Sequence, residues 1–215
     1  MKQQVETDSP LMRKLIREYI PQANEHCQNQ FVRYYELLID YNNRMNLTAI
    51  TDPFGIVQRH FADSLLGEKL IPNGSKCIDV GTGAGFPGIP LAVMFPDVRF
   101  TLCDSVGKKT IVAREIANML GLDNVEIVNA RAESLPGKFD FIVSRAVASL
   151  TDFYPWVKGK YSRSILYLKG GDINEEICDL MSRERLRKGS VSTWPVSQWL
   201  SDPHFAGKFV IDISR

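Results

Sequence analysis

The chain has 215 residues, of which 44% are hydrophobic, and this is enough to enclose a core. Its 26 Lys and Arg residues nearly balance its 25 Asp and Glu residues, so any surface that binds a polyanion must be local. No uncharged run approaches the roughly 20 residues of a membrane-spanning helix, and no signal-peptide pattern opens the chain. We therefore expect a cytoplasmic protein without a membrane partner.

The first part of the chain has the apolar spacing of helices. From Ser9 to about Ser64, apolar residues recur at every third or fourth position, as at Leu11 and Leu15. No segment in this part alternates like a strand. We expect an N-terminal helical region over residues 1–70, packed as one unit with a second domain over residues 71–215.

After the boundary "LIPNGSK", short apolar runs alternate with amphipathic segments. Strands are predicted over residues 76–80, 98–104, 125–129, 139–144 and 164–169. Helices are predicted over residues 87–95, 108–120, 152–157 and 173–186. This alternation predicts an α/β fold with a doubly wound, mostly parallel sheet. The last two extended runs, residues 191–200 and 207–215, predict an antiparallel hairpin at its edge.

A glycine-rich loop joins the first predicted strand to the first helix of this sheet, within "CIDVGTGAGFPGIPLAV" (residues 77–93). Gly81, Gly83 and Gly85 allow a tight turn in which backbone N–H groups approach a ligand. Pro87 suits the first turn of the following helix. Glycines can serve the turn alone, but their density directly after a strand, at the edge where open α/β sheets bind ligands, favours a binding cradle.

Two cofactor classes fit this loop. Gly83, Gly85 and Gly88 match G-x-G-x-x-G, the fingerprint of dinucleotide sites. Asp104 ends the second strand, where an acid can accept hydrogen bonds from ribose hydroxyls. NAD and S-adenosylmethionine (SAM) both carry such a ribose. Asp79, two residues before the first glycine, favours SAM.

Six motifs occur in one order along the chain: "NLTAI" (46–50), "RHFADSL" (59–65), "IDVGTGAGFPGIPLA" (78–92), "LCDSVGKK" (102–109), "SRAVASL" (144–150) and "LKGG" (168–171). Together they resemble the glucose-inhibited division protein B family, bacterial methyltransferases that modify a guanine of small-subunit ribosomal RNA at N7. The resemblance covers the chain from about Phe31 to the final strand.

The resemblance implies SAM as methyl donor, bound by the seven-stranded sheet of class I methyltransferases. It places Gly81 and Phe86 on the cofactor loop, Ala132 and Glu133 near the adenine, and Arg145 after the fourth strand, where it can touch the cofactor. Structural alternatives exist for three of these residues. Phe86 can pack in the core, Glu133 can begin a helix, and Arg145 can be a solvated cation.

The implied reaction requires little from side chains. Guanine N7 carries an unprotonated lone pair at neutral pH, so displacement needs no general base and no metal, and positioning supplies the rate. His60 is the one candidate base, but Arg59 and Asp63 have the spacing of a helix-surface ion pair, which favours a structural role for this segment over contact with RNA. Asn46 and Thr48 are typical of turns or caps, and only the resemblance suggests that they contact the substrate.

The four cysteines are far apart and lack the spacing of a zinc site. Three of them lie in apolar runs, where a free thiol packs as a small hydrophobic group. We expect all four to be reduced and buried, and we expect no metal site.

The implied partner is small-subunit ribosomal RNA, alone or in the assembled subunit, and we expect a monomer. N7 lies in the deep, narrow groove of A-form RNA, so the target guanine must be in a loop or flipped out. Arg145 and Lys169, which follow the fourth and fifth strands, are the expected positioning cations, with Asn46, Arg59 and His60 as further candidates. Other cations either meet phosphates or form a solvated face: Lys158, Lys160, Arg163, Arg183, Arg185, Arg187 and Lys188.

Two other functions remain open from the residues. A nicotinamide-dependent oxidoreductase would use the same loop, but it also needs an acid or base for hydride transfer beyond the fourth or fifth strand, where only Arg145 and Lys169 stand. A noncatalytic RNA-binding module would keep the cations without needing a cofactor loop.

Overall fold

The computed structural model describes residues 2–145, 147–198 and 200–215, with side chains from Ser9 onward. It contains one seven-stranded sheet with the spatial order β3-β2-β1-β4-β5-β7-β6. The strands are β1 Lys76–Val80, β2 Arg99–Asp104, β3 Val125–Asn129, β4 Phe139–Arg145, β5 Tyr161–Gly170, β6 Val191–Pro195 and β7 Lys208–Ser214. Strands β1 to β5 pair in parallel, and β7 runs antiparallel to both β5 and β6. The predicted fold class, with its antiparallel hairpin at the edge, is confirmed.

Helices precede the sheet and connect its strands. They are α1 Lys2–Tyr19, α2 Glu25–Met45, α3 Pro53–Gly55, α4 Gly88–Met94, α5 Gly107–Met119, α6 Leu150–Val157 and α7 Asn174–Glu184. In the part of the chain that the structure describes, none of these helices is long and apolar enough to span a bilayer.

Two hydrophobic clusters bury the two faces of the sheet. Phe100, Leu102 and Phe141 face a cluster that also contains the apolar residues of α1, α2, α4 and α5. Ile142 and Ile165 face the other cluster, which α6 and α7 cover. The central strands β1, β4 and β5 are buried on both sides, so they contain continuous apolar runs, whereas the edge strand β3 is only partly buried.

The helix α2 connects the N-terminal region to the sheet. The Asn24 side chain caps its first turn by accepting a hydrogen bond from Cys27 N at 2.9 Å. The Tyr34 hydroxyl donates to Ala84 O at 2.9 Å, within the glycine loop. The N-terminal helices and the sheet thus share one core, while a domain boundary near residue 70 stays a prediction.

The segment after α3 is a π-helix, Ile56–Ala62, where the sequence predicted continued α-helix. Asp52 caps α3 by accepting a hydrogen bond from Gly55 N at 2.7 Å. At the end of the π-helix, Asp63 N reaches Gln58 O, the five-residue spacing that defines this helix. The apolar spacing could not reveal it, because one additional residue per turn shifts the burial pattern only locally.

The cysteines are unpaired in the structure, and three of them are buried. The expectation that all four are buried is wrong for Cys178, which is exposed on α7. The helix α7 is amphipathic and buries one face only, and Cys178 lies on its other face, toward solvent.

Close packing of α4 against the sheet predicts the effect of a substitution at Gly88. A Cβ at this position would lie 2.6 Å from Leu102 Cγ and 2.8 Å from Asp79 Oδ2. We expect Gly88→Ala to lower the free energy of unfolding by about 1–3 kcal/mol, because these neighbours are packed on both sides. Gly67→Ala is the matched control, since its Cβ would meet its nearest atom at 3.7 Å. Urea unfolding of both variants measures the difference, and equal midpoints would contradict the packing argument.

Candidate functional site

The glycine loop lies between β1 and α4, at the edge where the parallel strands end. Gly81 N and Thr82 N both donate to Cys103 O, at 2.8 and 3.1 Å, which fixes the start of the loop against β2. Gly83 has a φ of +58°, and a Cβ there would have no atom within 4 Å. The loop is therefore held at its start and open at Gly83.

Two carboxylates hold the loop. Asp79 Oδ2 accepts a hydrogen bond from Gly88 N at 2.8 Å, across the full length of the turn. Asp104 Oδ2 accepts one from Gly83 N at 2.9 Å, and its Oδ1 accepts one from Val106 N at 2.8 Å. Asp104 therefore joins the first and second strand-to-helix turns and keeps acceptor capacity on each oxygen.

Asp79 is fully buried, and its Oδ1 lies without a hydrogen-bond partner among the described residues. The same holds for the hydroxyl oxygen of its neighbour Thr82. Burial raises the pKa of Asp79 to about 7, against the lowering effects of nearby hydrogen bonds. The hydrogen bond from Gly88 N therefore makes Asp79 an internal support of the loop.

A first cleft of about 430 Å³ opens at the ends of β1, β2, β3 and β4. Five of the predicted cofactor residues line it: Gly81, Asp104, Ala132, Glu133 and Arg145. Ala132 and Glu133 belong to a single 3-10 turn, Ala132–Ser134. Glu133 therefore lies in the first turn of a short helix, and it also lines the cleft. Trp156 adds an aromatic wall, which no motif in the sequence indicated.

The other predicted cofactor residues are Asp79, Gly83, Gly85 and Phe86, and none of them is among the described residues that line the first cleft. Their contacts support the loop from behind. A Cβ on Gly85 would lie 2.9 Å from the Tyr34 hydroxyl, and the Phe86 ring stacks on Tyr34 and on His60, with centroids 5.3 and 4.6 Å apart. Their roles toward a cofactor stay predictions.

Arg145, at the end of β4, is not a solvated cation. Its Nη1 donates to the backbone oxygen of Arg59 at 3.1 Å, and its guanidinium lies 5.4 Å from the centroid of the Phe86 ring. Burial lowers the pKa of Arg145, but an arginine stays charged under all ordinary conditions. Arg145 thereby connects the π-helix, the glycine loop and the first cleft.

The contacts of His60 assign its tautomer. Arg145 Nη2 lies 3.3 Å from His60 Nδ1, and because a guanidinium can only donate, Nδ1 is the acceptor. His60 Nε2–H then donates to Thr48 Oγ1 at 2.9 Å. Burial, with a further contribution from Arg145, lowers the pKa of His60 to about 4. His60 is therefore neutral at pH 7 and positions Arg145 and Thr48.

A second cleft of about 240 Å³ adjoins the first through Arg145, which lines both. Its walls come from the π-helix, from the end of β5 and from the start of β7. The residues that line it are Arg59, His60, Asp63, Leu66, Arg145, Leu168, Lys169, Gly170 and Lys208. Two adjoining clefts at one edge of the sheet can hold two molecules next to each other.

The predicted ion pair between Arg59 and Asp63 is wrong. Asp63 Oδ2 pairs with Lys208 Nζ at 2.6 Å, and its Oδ1 lies 3.1 Å from His204 Nε2. The four-residue spacing assumed an α-helix, and the π-helix separates the two side chains. The Arg59 side chain is exposed and has no ion pair with any residue that the structure describes.

Lys169 lines the second cleft as expected, but its ammonium group pairs with Glu176 on α7. It is therefore not a free cation. Asn46 is the C-cap of α2, in the left-handed conformation with a φ of 49°, and its side chain is exposed. Asn46 lines neither cleft in the described structure, and its contact with a substrate stays a prediction.

The more distant cations lie away from the clefts. Lys158 pairs with Glu184 at 2.7 Å, and Lys160 Nζ donates to Leu135 O at 2.7 Å. Both precede β5, which begins at Tyr161, whereas the clefts lie at its other end. Arg163 is also near the start of β5. Arg183 lies in the last turn of α7, and the other three cations, Arg185, Arg187 and Lys188, follow its end. These residues are near the ends of the strands opposite to the glycine loop.

The strand order and the loop define the fold of the class I SAM-dependent methyltransferases. A solved SAM dependent methyltransferase from Aquifex aeolicus has this fold, with a TM-score of 0.55, 20% sequence identity, and coverage of 76% of this chain and 93% of that chain. The family model GidB, described as rRNA small subunit methyltransferase G, matches residues 27–200. The chain belongs to this family, which confirms the resemblance that the motifs predicted.

The sequence is similar to those of individual relatives over most of their length. A protein named ribosomal RNA small subunit methyltransferase G from Christiangramia forsetii is 44% identical over 176 residues, which cover 77% of this chain and 83% of the relative. One of the same name from Flavobacterium psychrophilum is 36% identical over 208 residues, which cover 92% and 96%. The similarity therefore includes the helices before the sheet as well as the loop.

The raised pKa of Asp79 predicts a pH dependence of stability. The pKa of Asp79 is about 7 in the folded protein, whereas an unfolded Asp has an ordinary acidic pKa. The contribution of Asp79 to the free energy of unfolding is therefore fully present below about pH 4, and it is lost as the pH rises to about 7. Asn at this position can still accept the hydrogen bond from Gly88 N. We expect Asp79→Asn to gain stability relative to the wild type as the pH rises through this window. Urea unfolding at a series of pH values measures it, and a constant difference would contradict the assignment.

Proposed function

We propose that this protein transfers a methyl group from SAM to N7 of a guanine in small-subunit ribosomal RNA. The observation that carries the proposal is the pair of adjoining clefts at one sheet edge, joined by the half-buried Arg145. Membership in the family of rRNA small subunit methyltransferase G proteins supports the reaction and the class of RNA. The first cleft binds the donor, and the second receives the base.

The residues of the first cleft fit SAM. Asp104 has the position and the acceptor capacity to bind the ribose hydroxyls, and Ala132 and Glu133 lie where the adenine would extend. Asp79 holds the glycine loop from behind through its hydrogen bond from Gly88 N, and Gly81 of this loop lies at the wall of the cleft. When bound, SAM supplies a methyl carbon that forms a bond to guanine N7 while its bond to sulfur breaks, and the electron pair stays on sulfur.

The protein's own residues position the two partners. N7 has no proton to remove, so neutral His60 need not act as a base and instead holds the Arg145 guanidinium by accepting from it. Arg145, on the wall between the clefts, can donate to guanine O6, the acceptor next to N7. Orientation of the base toward the first cleft then supplies the rate.

The base must leave any helical stack to enter the second cleft, so a loop or a flipped guanine is required. Naked RNA and the assembled small subunit both satisfy this, and we propose a monomeric enzyme of the cytoplasm. Family membership supports neither the oxidoreductase nor the noncatalytic RNA-binding module.

The direct test combines methyl transfer with cofactor binding. Small-subunit RNA and assembled subunits that lack the modification are incubated with the protein and labelled SAM, and borohydride reduction with aniline cleavage maps 7-methylguanosine. In parallel, calorimetry compares SAM with NAD. Binding of NAD alone would support the oxidoreductase, and label at another atom would overturn the N7 assignment.

Asp104→Ala is expected to weaken SAM binding by roughly 10- to 100-fold, since it removes a charged acceptor for the ribose and frees Gly83 N and Val106 N. Calorimetry gives the dissociation constant. Asp140→Ala is the matched control, because Asp140 also accepts two hydrogen bonds, from Lys76 N and Ser162 Oγ, near the opposite ends of the strands. Similar SAM affinity in the two variants would remove Asp104 from the cofactor site.

Methyl transfer is expected to continue in excess EDTA, because the N7 lone pair needs no metal-activated nucleophile. In the described structure, no group of three or more potential ligands could hold a metal ion. The RNA fold must be kept by polyamines during the assay. Loss of activity that only a transition metal restores would contradict this mechanism.

A further inference from the structure

The second cleft has a single carboxylate among the described residues that line it, Asp63. The same walls carry Arg59, Arg145, Lys169 and Lys208, so the cleft is cationic around one buried anion. An RNA phosphate would gain nothing from a carboxylate, whereas a hydrogen-bond donor of a base can use one. Asp63 is therefore a candidate acceptor for a base that enters this cleft.

Two elements hold Asp63 in place. Lys208 Nζ donates to its Oδ1 at 2.7 Å and to its Oδ2 at 2.6 Å, and His204 Nε2 lies 3.1 Å from Oδ1. The Asp63 side chain is 12% exposed. Among the described residues, Oδ2 has only this one hydrogen bond, so a lone pair remains on it. Asp63 is thus an oriented acceptor at the wall of the cleft.

The reaction geometry decides which edge of guanine reaches this wall. N7 must face the first cleft, and O6 lies beside N7 on the same edge of the base, within reach of Arg145. The exocyclic 2-amino group lies on the far side of the purine from N7. If N7 faces the glycine loop, the 2-amino group therefore points into the second cleft, where Asp63 can accept its hydrogen bond.

We infer that Asp63 accepts a hydrogen bond from the 2-amino group of the target guanine and thereby selects guanine as the base that is methylated. The inference rests on the proposed function. Adenine also has a nucleophilic N7, so the protein needs a contact that distinguishes the two bases. Adenine has no 2-amino group, and its unprotonated N1 would approach the carboxylate with a lone pair. A base with the wrong donors leaves Asp63 without this partner and is rejected.

Removing the 2-amino group from the base tests its contact with Asp63. Ligated ribosomal RNA carries either guanosine or inosine, which lacks only the 2-amino group, at the mapped site, and both are reconstituted into small subunits. The ratio of kcat/KM for guanosine over inosine is measured for the wild type and for Asp63→Ala, which removes the acceptor. Asp63→Glu keeps a carboxylate on a side chain that is one methylene longer. Asp140→Ala, near the opposite ends of the strands, is the matched control.

We expect the wild type to prefer guanosine by roughly 10- to 100-fold, the discrimination of one well-placed base contact. In Asp63→Ala the ratio is expected to fall close to one, because only guanosine loses a hydrogen bond with the base. Asp63→Glu should lie between, and Asp140→Ala should keep the wild-type ratio. SAM affinity is expected to be the same in all four proteins.

Three outcomes overturn the inference. A wild-type ratio close to one shows that the 2-amino group is not read, and this holds even if the Asp63 variants do not fold. An unchanged ratio in Asp63→Ala, with both rates lowered equally, shows that Asp63 only pairs with Lys208. Absence of 7-methylguanosine in the wild-type reaction with guanosine ends the proposed function itself, and the inference with it.

Discussion

The placement of both clefts depends on one half-buried guanidinium. Arg145 ends β4, donates to the backbone of the π-helix and to His60, and lies over Phe86 of the glycine loop. Desolvation of such a charge is costly, and hydrogen bonds to carbonyl and imidazole acceptors offset that cost. Without these acceptors the guanidinium would move to solvent, and the wall between the two clefts would open. The neutral state of His60 is part of this arrangement, since a protonated ring could not accept from Arg145.

The N-terminal helices are a structural part of the site. Tyr34 on α2 donates to the loop backbone at Ala84 and stacks on Phe86, so the loop is packed from the side opposite the first cleft. A loop rich in glycine loses much conformational entropy on folding, and this packing reduces the range of shapes it can adopt. The α2 helix thereby orders the backbone N–H groups before a ligand arrives, which lowers the cost of binding.

The features that depend on a local sequence pattern could be predicted from the sequence. Apolar runs predicted the strands, and Asp104 was correctly placed at the end of β2, beside the loop. Contacts between distant segments were not predictable. Lys208 neutralises Asp63 across 145 residues, and the link from Arg145 to His60 crosses 85, so no spacing rule could show either pair. The motif containing His60 could be recognised by resemblance, but its neutral state follows only from burial.

The π-helix also constrains the length of the chain. Each residue of an α-helix turns the next side chain by about 100°, and a π-helix accommodates one additional residue within a turn without moving its flanks. Deleting one residue from Ile56–Ala62 would restore the tighter helix and leave Asp63, on its flank, beside the second cleft. It would close the widened turn, however, and withdraw the carbonyl that Arg59 offers to Arg145. Among related chains, this short segment should therefore vary in side chains far more readily than in length, although nearby loops tolerate insertions.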